Sequence, residues 1–287
     1  MGLDSQELLK IMLAVDDHGM LIPAHAWTPW FAVFGSQSGF DSLEACFGEL
    51  ASNIFAIETG LSSDPSMNAR LSALDNIFLV SNSDAHSLDK LGREANVFEM
   101  PEPSYLELER ILKHHDRKAF VETIEFFPEE GKYHADGHRA CDFWCMPSQS
   151  KRLHNLCPKC GKPLTIGVLH RVDAIADRDE EAARAYAAPF RSIVPLAEVI
   201  ADTLGVKPPS KKVQIELDRL LEDGRNEFRV LLDLPESELT RITSPEIVEA
   251  ILHMRRGEVA IRPGYDGEFG KISFHSVKQQ PKQTKMF

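Results

Sequence analysis

Four of the chain's five cysteines, Cys141, Cys145, Cys157 and Cys160, fall within one short stretch of the 287 residues. No other feature constrains the fold as strongly. A Cys-x3-Cys pair followed by a Cys-Pro-Lys-Cys-Gly knuckle puts thiolates on two tight turns, which can share one tetrahedral centre. The spacing predicts a small four-cysteine zinc module in mid-chain. A redox pair would leave two of the four cysteines unexplained, and a chain with no secretory leader pattern favours metal over disulfides. His138 or His154 stands as the alternative to one sulfur. Cys46, alone in a predicted helix, reads as a small buried apolar residue.

Ahead of this module, helical and short apolar segments alternate. Helices are expected over 5–18, with Ser5 as N-cap and Gly19 as terminator, over 40–53 and over 103–115. Buried strands are expected over 20–25, 54–58 and 76–81. Alternation of this kind predicts an α/β sheet or barrel with its ligands at the strand ends. The strand over 76–81 runs directly into Asp84-Ala-His86, which sets a carboxylate and an imidazole on one side of the chain. His25 and Glu58 close the other two strands. Converging at one sheet edge, His25, Glu58, Asp84 and His86 would suit a divalent transition metal that activates water and neutralises phosphate charge. The competing reading makes them satisfied polar groups at the rim of a core. Trp27 and Trp30 are read as packing beneath their loop rather than stacking on a base.

Beyond the cysteines the chain turns helical, over 180–186, 196–204, 211–223 and 245–256, and residues 255–271 read as a two-stranded ribbon about Pro263-Gly264. The boundaries expected are 1–118, 119–178, 179–275 and a flexible tail over 276–287. In that tail, Gln283, two spacers and the apolar pair Met286 and Phe287 form a short anchor for a hydrophobic groove. A net charge of −12 argues against bulk nucleic-acid binding. A local groove over Lys151, Arg152, Lys159, Lys162 and Arg171 could still face phosphates, or these residues are an ordinary solvated surface. No apolar run approaches the ~20 residues of a membrane span, and the expected location is the cytosol.

Several motifs carry a resemblance. The stretches 21–31 (with Pro23, His25 and Trp27), Glu58-Thr-Gly-Leu-Ser-Ser-Asp-Pro65, Ser81-Asn-Ser-Asp-Ala-His-Ser87 and Lys90-Leu-Gly-Arg-Glu94 resemble the PHP-type (polymerase and histidinol phosphatase) metallohydrolase domain of the endonuclease Q family. The run from Thr123 to His134, the four cysteines, Gly167-Val-Leu-His-Arg171 and Pro263-Gly-Tyr-Asp-Gly267 resemble that family's later regions. The resemblance implies an α/β chain: part of a PHP-type distorted (β/α) barrel, a small four-cysteine zinc module and a mainly helical C-terminal domain. It implies a DNA-repair endonuclease that cuts 5′ to deaminated bases (uracil, hypoxanthine) or abasic sites in double-stranded DNA. Asp84 and His86 would be catalytic and, with His25 and Glu58, would hold a divalent metal (Zn, Mn or Mg), while Cys141, Cys145, Cys157 and Cys160 would hold structural zinc. The tail is similar to the peptide with which repair enzymes bind the replicative sliding clamp. The PHP pattern also opens on a His-x-His strand with no counterpart before His25, so the expectation is a chain lacking the first part of that domain. Two alternatives follow: an inactive DNA- and clamp-binding protein, or a PHP-type phosphoesterase.

Overall fold

The computed structural model describes residues 2–274; the expected clamp anchor over 283–287 lies outside them. The chain forms two compact units, Met1–Phe190 with Pro263–Gly270, and Arg191–Arg262 with the segment from Lys271.

The first unit opens with α1 (Ser5–Val15), whose N-cap is Asp4, not Ser5: the Asp4 carboxylate accepts from Gln6 and Glu7 N–H. The helix expected over 40–53 is two pieces, α2 (Leu43–Phe47) and a 3-10 stretch (Gly48–Asn53), because Gly48 takes a left-handed φ of 56° that ends the α-helix. Strand β1 (Ala56–Glu58), α3 (Pro65–Asn68) and β2 (Phe78–Val80) follow, and β1 pairs parallel with β2, Glu58 beside Val80. Residues 20–25 form no strand. Pro23 has no N–H to donate and His25 sits at φ 50°, so only end contacts attach the segment to β1: Glu58 N–H to Pro23 O at 2.9 Å and Ala26 N–H to Glu58 O at 3.1 Å.

Both faces of the pair are covered. Ile57 and Leu79 point into a core with Leu9, Trp27, Phe34, Phe47 and Val172; Ala56, Phe78 and Val80 point into another with Ile111, Leu112 and Phe120. Trp27 is fully buried, and its indole donates to Asn68 Oδ1 at 2.8 Å. An antiparallel pair that the periodicity did not reveal, β3 (Ala95–Phe98) and β4 (Phe120–Phe126), flanks α4 (Tyr105–Lys113). Then come the hairpin β5 (Asp136–His138) and β6 (Phe143–Cys145), α5 (Pro147–Arg152), α6 (Val168–Ile175), α7 (Glu180–Ala183) and β7 (Phe190–Ile193).

The second unit is mainly helical: α8 (Leu196–Leu204), α9 (Lys211–Gly224), a π-turn over Arg229–Asp233, α10 (Glu236–Ile242) and α11 (Pro245–Arg255). Local signals set these ends, with Gly205 at φ 63° closing α8 and the Ser210 hydroxyl capping α9. Arg255 locks the π-turn from α11, its guanidinium donating to the carbonyls of Val230, Leu231 and Leu234 at 2.9, 2.8 and 2.7 Å. The expected ribbon exists as antiparallel β8 (Ala260–Arg262) and β9 (Lys271–Ser273). It is not closed by a tight Pro-Gly turn. The intervening Pro263–Gly270 belongs to the first unit, where Gly264 N–H donates to Glu129 O and Ala135 N–H to Gly264 O. No helix among the described residues is long and apolar enough to cross a membrane.

Candidate metal centres

Because β1 and β2 run parallel, their C-terminal ends share one edge, the usual ligand-binding side of such sheets. Glu58, nearly buried there, is gripped three ways. The His25 backbone N–H donates to its Oε2 at 2.8 Å, the His25 ring Nδ1 lies 3.0 Å from the same oxygen, and Asn82 Nδ2 donates to Oε1 at 2.9 Å. The left-handed backbone at His25 lets its amide and its ring face one carboxylate. Burial pushes the Glu58 carboxyl up, but the bonds from His25 and Asn82 outweigh it and hold it below the usual range. The same bond to Glu58 raises His25, against burial, with a smaller contribution from the Asp84 charge.

Beyond β2 the chain is pinned to β3. Ser81 N–H donates to Asn96 Oδ1 and Asn96 Nδ2 donates back to Ser81 O, both at 2.8 Å. Arg93 Nε donates to Ser83 O at 2.7 Å and its Nη2 to Asp84 O at 3.3 Å. Asp84 sits at φ 45°, and the exposed His86 turns back so that its Nδ1 meets Asp84 O at 2.9 Å. The structure therefore joins His25 directly to Glu58 and keeps Asp84 near His25, while the His86 ring lies out in solvent.

Among the described residues, one clustered set of metal-ligating donors lies in the cysteine module. His138 Nδ1 or Nε2 and the sulfurs of Cys141, Cys157 and Cys160 lie within 4.8 Å of one another. Hairpin register explains the composition. With Asp136 opposite Cys145 and His138 opposite Phe143, the 3-10 turn Arg139–Cys141 brings His138 and Cys141 to the hairpin tip. Cys145 is left at the far end of β6, buried beside Cys157 and Leu164. The structure thus brings three of the four expected sulfurs together with His138, the alternative weighed from the sequence, while Cys145 is not among the clustered donor atoms. The second turn is tight, Cys160 N–H donating to Cys157 O at 3.3 Å and Gly161 N–H to the same oxygen at 2.8 Å; Gly161 has the positive φ, 73°, that the turn requires.

Burial opposes ionisation of Cys157, yet the Lys159 and Cys160 amides and the His138 and Cys160 side chains bring its thiol down to about 7. Cys160 Sγ lies 3.4 Å from His138 Nδ1. Three thiols, one of them ready to ionise, and an imidazole within bonding reach of a common point suit tetrahedral zinc. Three of the five expected phosphate-facing basic residues have other work: Lys151 pairs with Asp173, Arg171 binds Asp41 and the carbonyls of Phe34 and Phe40, and Lys159 caps the carbonyls of Cys141 and Asp142.

These features define a mixed α/β chain with the fold of a DNA-repair endonuclease, carrying a Cys/His metal module. It belongs to the endonuclease Q family. The lesion-specific endonuclease PfuEndoQ of Pyrococcus furiosus superposes with a TM-score of 0.85 at 30% identity, over 98% of this chain and 69% of that one. An endonuclease Q in complex with a 27-mer duplex substrate, an abasic lesion at its active site, gives 0.81 at 29% identity over 100% and 71%. The family described as the MJ0043 C-terminal domain matches residues 195–258, inside the helical unit. MJ0043 of Methanocaldococcus jannaschii is 32% identical over 261 residues and YqxK of Bacillus subtilis 31% over 258, covering 88% and 90% of this chain. The chain spans 32% and 62% of those two relatives' lengths.

Proposed function

We propose that this chain works in a metal-dependent DNA-repair endonuclease that cuts the phosphodiester 5′ to a deaminated base or an abasic site in duplex DNA. The observation that carries this reading is the His25–Glu58–Asn82 grip at the C-terminal edge of β1 and β2, with Asp84 and His86 on the adjoining loop, in a fold shared with a lesion-specific endonuclease. Imidazole and carboxylate donors at such an edge suit a divalent metal, with His25, Glu58, Asp84 and His86 as the residues that would hold it. When bound, that metal supplies a water made acidic enough to attack phosphorus and positive charge for the phosphate oxygens.

The chain's own groups prepare the site. Asn82 and the His25 amide keep Glu58 ionised and fixed in place, and Arg93 holds the Ser83 and Asp84 carbonyls so that the loop presents Asp84 at one height. The His138–Cys141–Cys157–Cys160 module would bind zinc as a structural clip, keeping hairpin and knuckle rigid.

The test is a duplex carrying a single uracil, hypoxanthine or abasic site, incubated with Mn²⁺, Mg²⁺ or Zn²⁺. Nicking 5′ to the lesion, lost in Asp84→Asn with duplex affinity retained, is the expected result. Asparagine suits this variant because it tolerates the left-handed backbone at 84. A second reading, DNA binding without cutting, is favoured by one observation: His86 is turned to solvent and the strand-end donors do not crowd together as the Cys/His set does. Tight duplex binding with no nick under any of the three metals would select it. Phosphomonoester hydrolysis without duplex affinity would reject both.

A further inference from the structure

Beneath the His25–Glu58 contact lies a second group of oxygen donors. In the β3–β4 ladder Ala95 faces Ile124 and Asn96 faces Thr123, so one step further Glu94 faces Glu125. Alternation along the strands places Glu94, Asn96, Thr123 and Glu125 on one face. That face looks toward the ends of β1 and β2, where Thr59 Oγ1 donates to Glu125 Oε2 at 3.0 Å and Ser81 Oγ to Ile124 O at 2.9 Å. Glu94 is 3% exposed, Thr123 2% and Glu125 0%.

Glu94 Oε2 and Glu125 Oε1 meet no well-formed hydrogen-bond donor within the protein, and the Thr123 hydroxyl, without a well-formed bond of its own, lies close enough to Glu125 to lower its carboxyl. Two carboxylates directly opposite in a strand pair, out of water, repel each other strongly and are rare without a counter-charge. The nearest cation, Arg93, gives its guanidinium to the Ser83 and Asp84 carbonyls, and its charge lowers Glu94 less than burial, Glu125 and Glu58 raise it. The remaining charged neighbours, Glu58 and Asp64, are acidic.

We propose that Glu94, Glu125 and Thr123 form a binding site for a hard divalent cation of the Mg²⁺/Mn²⁺ class, buried between the β3–β4 ladder and the ends of β1 and β2. All-oxygen donors select such ions, whereas the thiolate module selects zinc. Without the ion these groups must hold protons: burial, then the charges of Glu125 and Glu58, pushes the Glu94 carboxyl up to about 9, and burial takes Glu125 to about 7. A dication replaces those protons and turns repulsion across the ladder into a clip. The site uses none of the four strand-end residues, so it stands whether or not the chain cuts DNA.

The experiment uses the full chain saturated with zinc, in an Asp84→Asn background that weakens Mn²⁺ binding at the strand ends. Manganese content and its EPR signal are read after equilibration with Mn²⁺ and gel filtration. One retained equivalent is expected, lost in Glu94→Gln and in Glu125→Gln and kept in the exposed-site control Glu99→Gln. Thr123→Val, which keeps both carboxyls and the side-chain shape, should weaken Mn²⁺ affinity about tenfold or more, and it decides the question if the glutamine variants fail to fold. No retained Mn²⁺, or the same content and affinity in every variant, overturns the proposal. An infrared band of a protonated buried acid that disappears in Glu94→Gln would then identify a proton-holding pair.

Discussion

Replacing Cys157 by serine should uncouple the hairpin from the knuckle, and the size of the effect follows from the structure. Among the described residues, the buried cluster joining these turns consists of Cys145, Cys157 and Leu164, with Cys141, Phe143 and Leu153 partly buried around them. So small a cluster offers little burial to hold the two turns together, and the proposed metal clip would supply the rest. Bridging Cys141 and Cys157 closes a loop of about 15 residues, which constrains the unfolded chain by about 3 kcal/mol. For a unit of roughly 200 residues, that corresponds to a fall in Tm of about 6–12 °C. The assay is thermal unfolding with zinc or with a chelator, alongside zinc content. Wild type should lose that interval on chelation, and Cys157→Ser should start low and ignore the chelator. Cys145→Ser should keep its zinc and its response, while His138→Ala should lose affinity. If Cys145→Ser sheds zinc and His138→Ala does not, the assignment of the fourth donor is wrong. No chelator response in wild type would refute the clip itself.

Three further outcomes are expected. His134 is buried, and burial takes its ring down to about 4 from an ordinary 6.5. The folded state therefore prefers it neutral: its contribution is whole above pH 6.5 and is lost as pH falls toward 4, by about 3 kcal/mol in all. His134→Gln should flatten the acid limb of a urea-denaturation pH series by that amount. Arg255→Lys removes the fork that reaches three carbonyls of the π-turn; a drop of about 2–3 kcal/mol in denaturant stability is expected. Arg178 makes a two-point pair with Asp75 at 2.7 and 2.5 Å, donates to Ala69 O and stacks over Tyr186. Arg178→Ala should destabilise the first unit by about 2 kcal/mol, most of it at low salt.

Much of this architecture was legible in the chain. The α8 helix starts and stops where 196–204 was expected, because its signals are local: an apolar stripe, then Gly205 in a left-handed cap. The parallel strands ending near Glu58 and Val80 were visible as apolar runs for the same reason. The β3–β4 ladder was not, although Phe120–Phe126 is rich in residues that favour strands. What buries Glu94 and Glu125 is each other's strand and the sheet beyond, and no short window of sequence contains that.

Sequence by itself determined the kinds of atom available: thiols on two turns, imidazole and carboxylate at strand ends, proline and glycine where ladders and helices must stop. Tertiary structure decided which of them meet. His138 lies beside Cys141, Cys157 and Cys160 because the β5–β6 register sets which residues reach the hairpin tip. Glu58 meets His25 through a left-handed turn that replaces the expected strand. A chemical group is fixed by one codon, but its partner is fixed by pairing and packing across tens of residues, and only the folded chain carries that information.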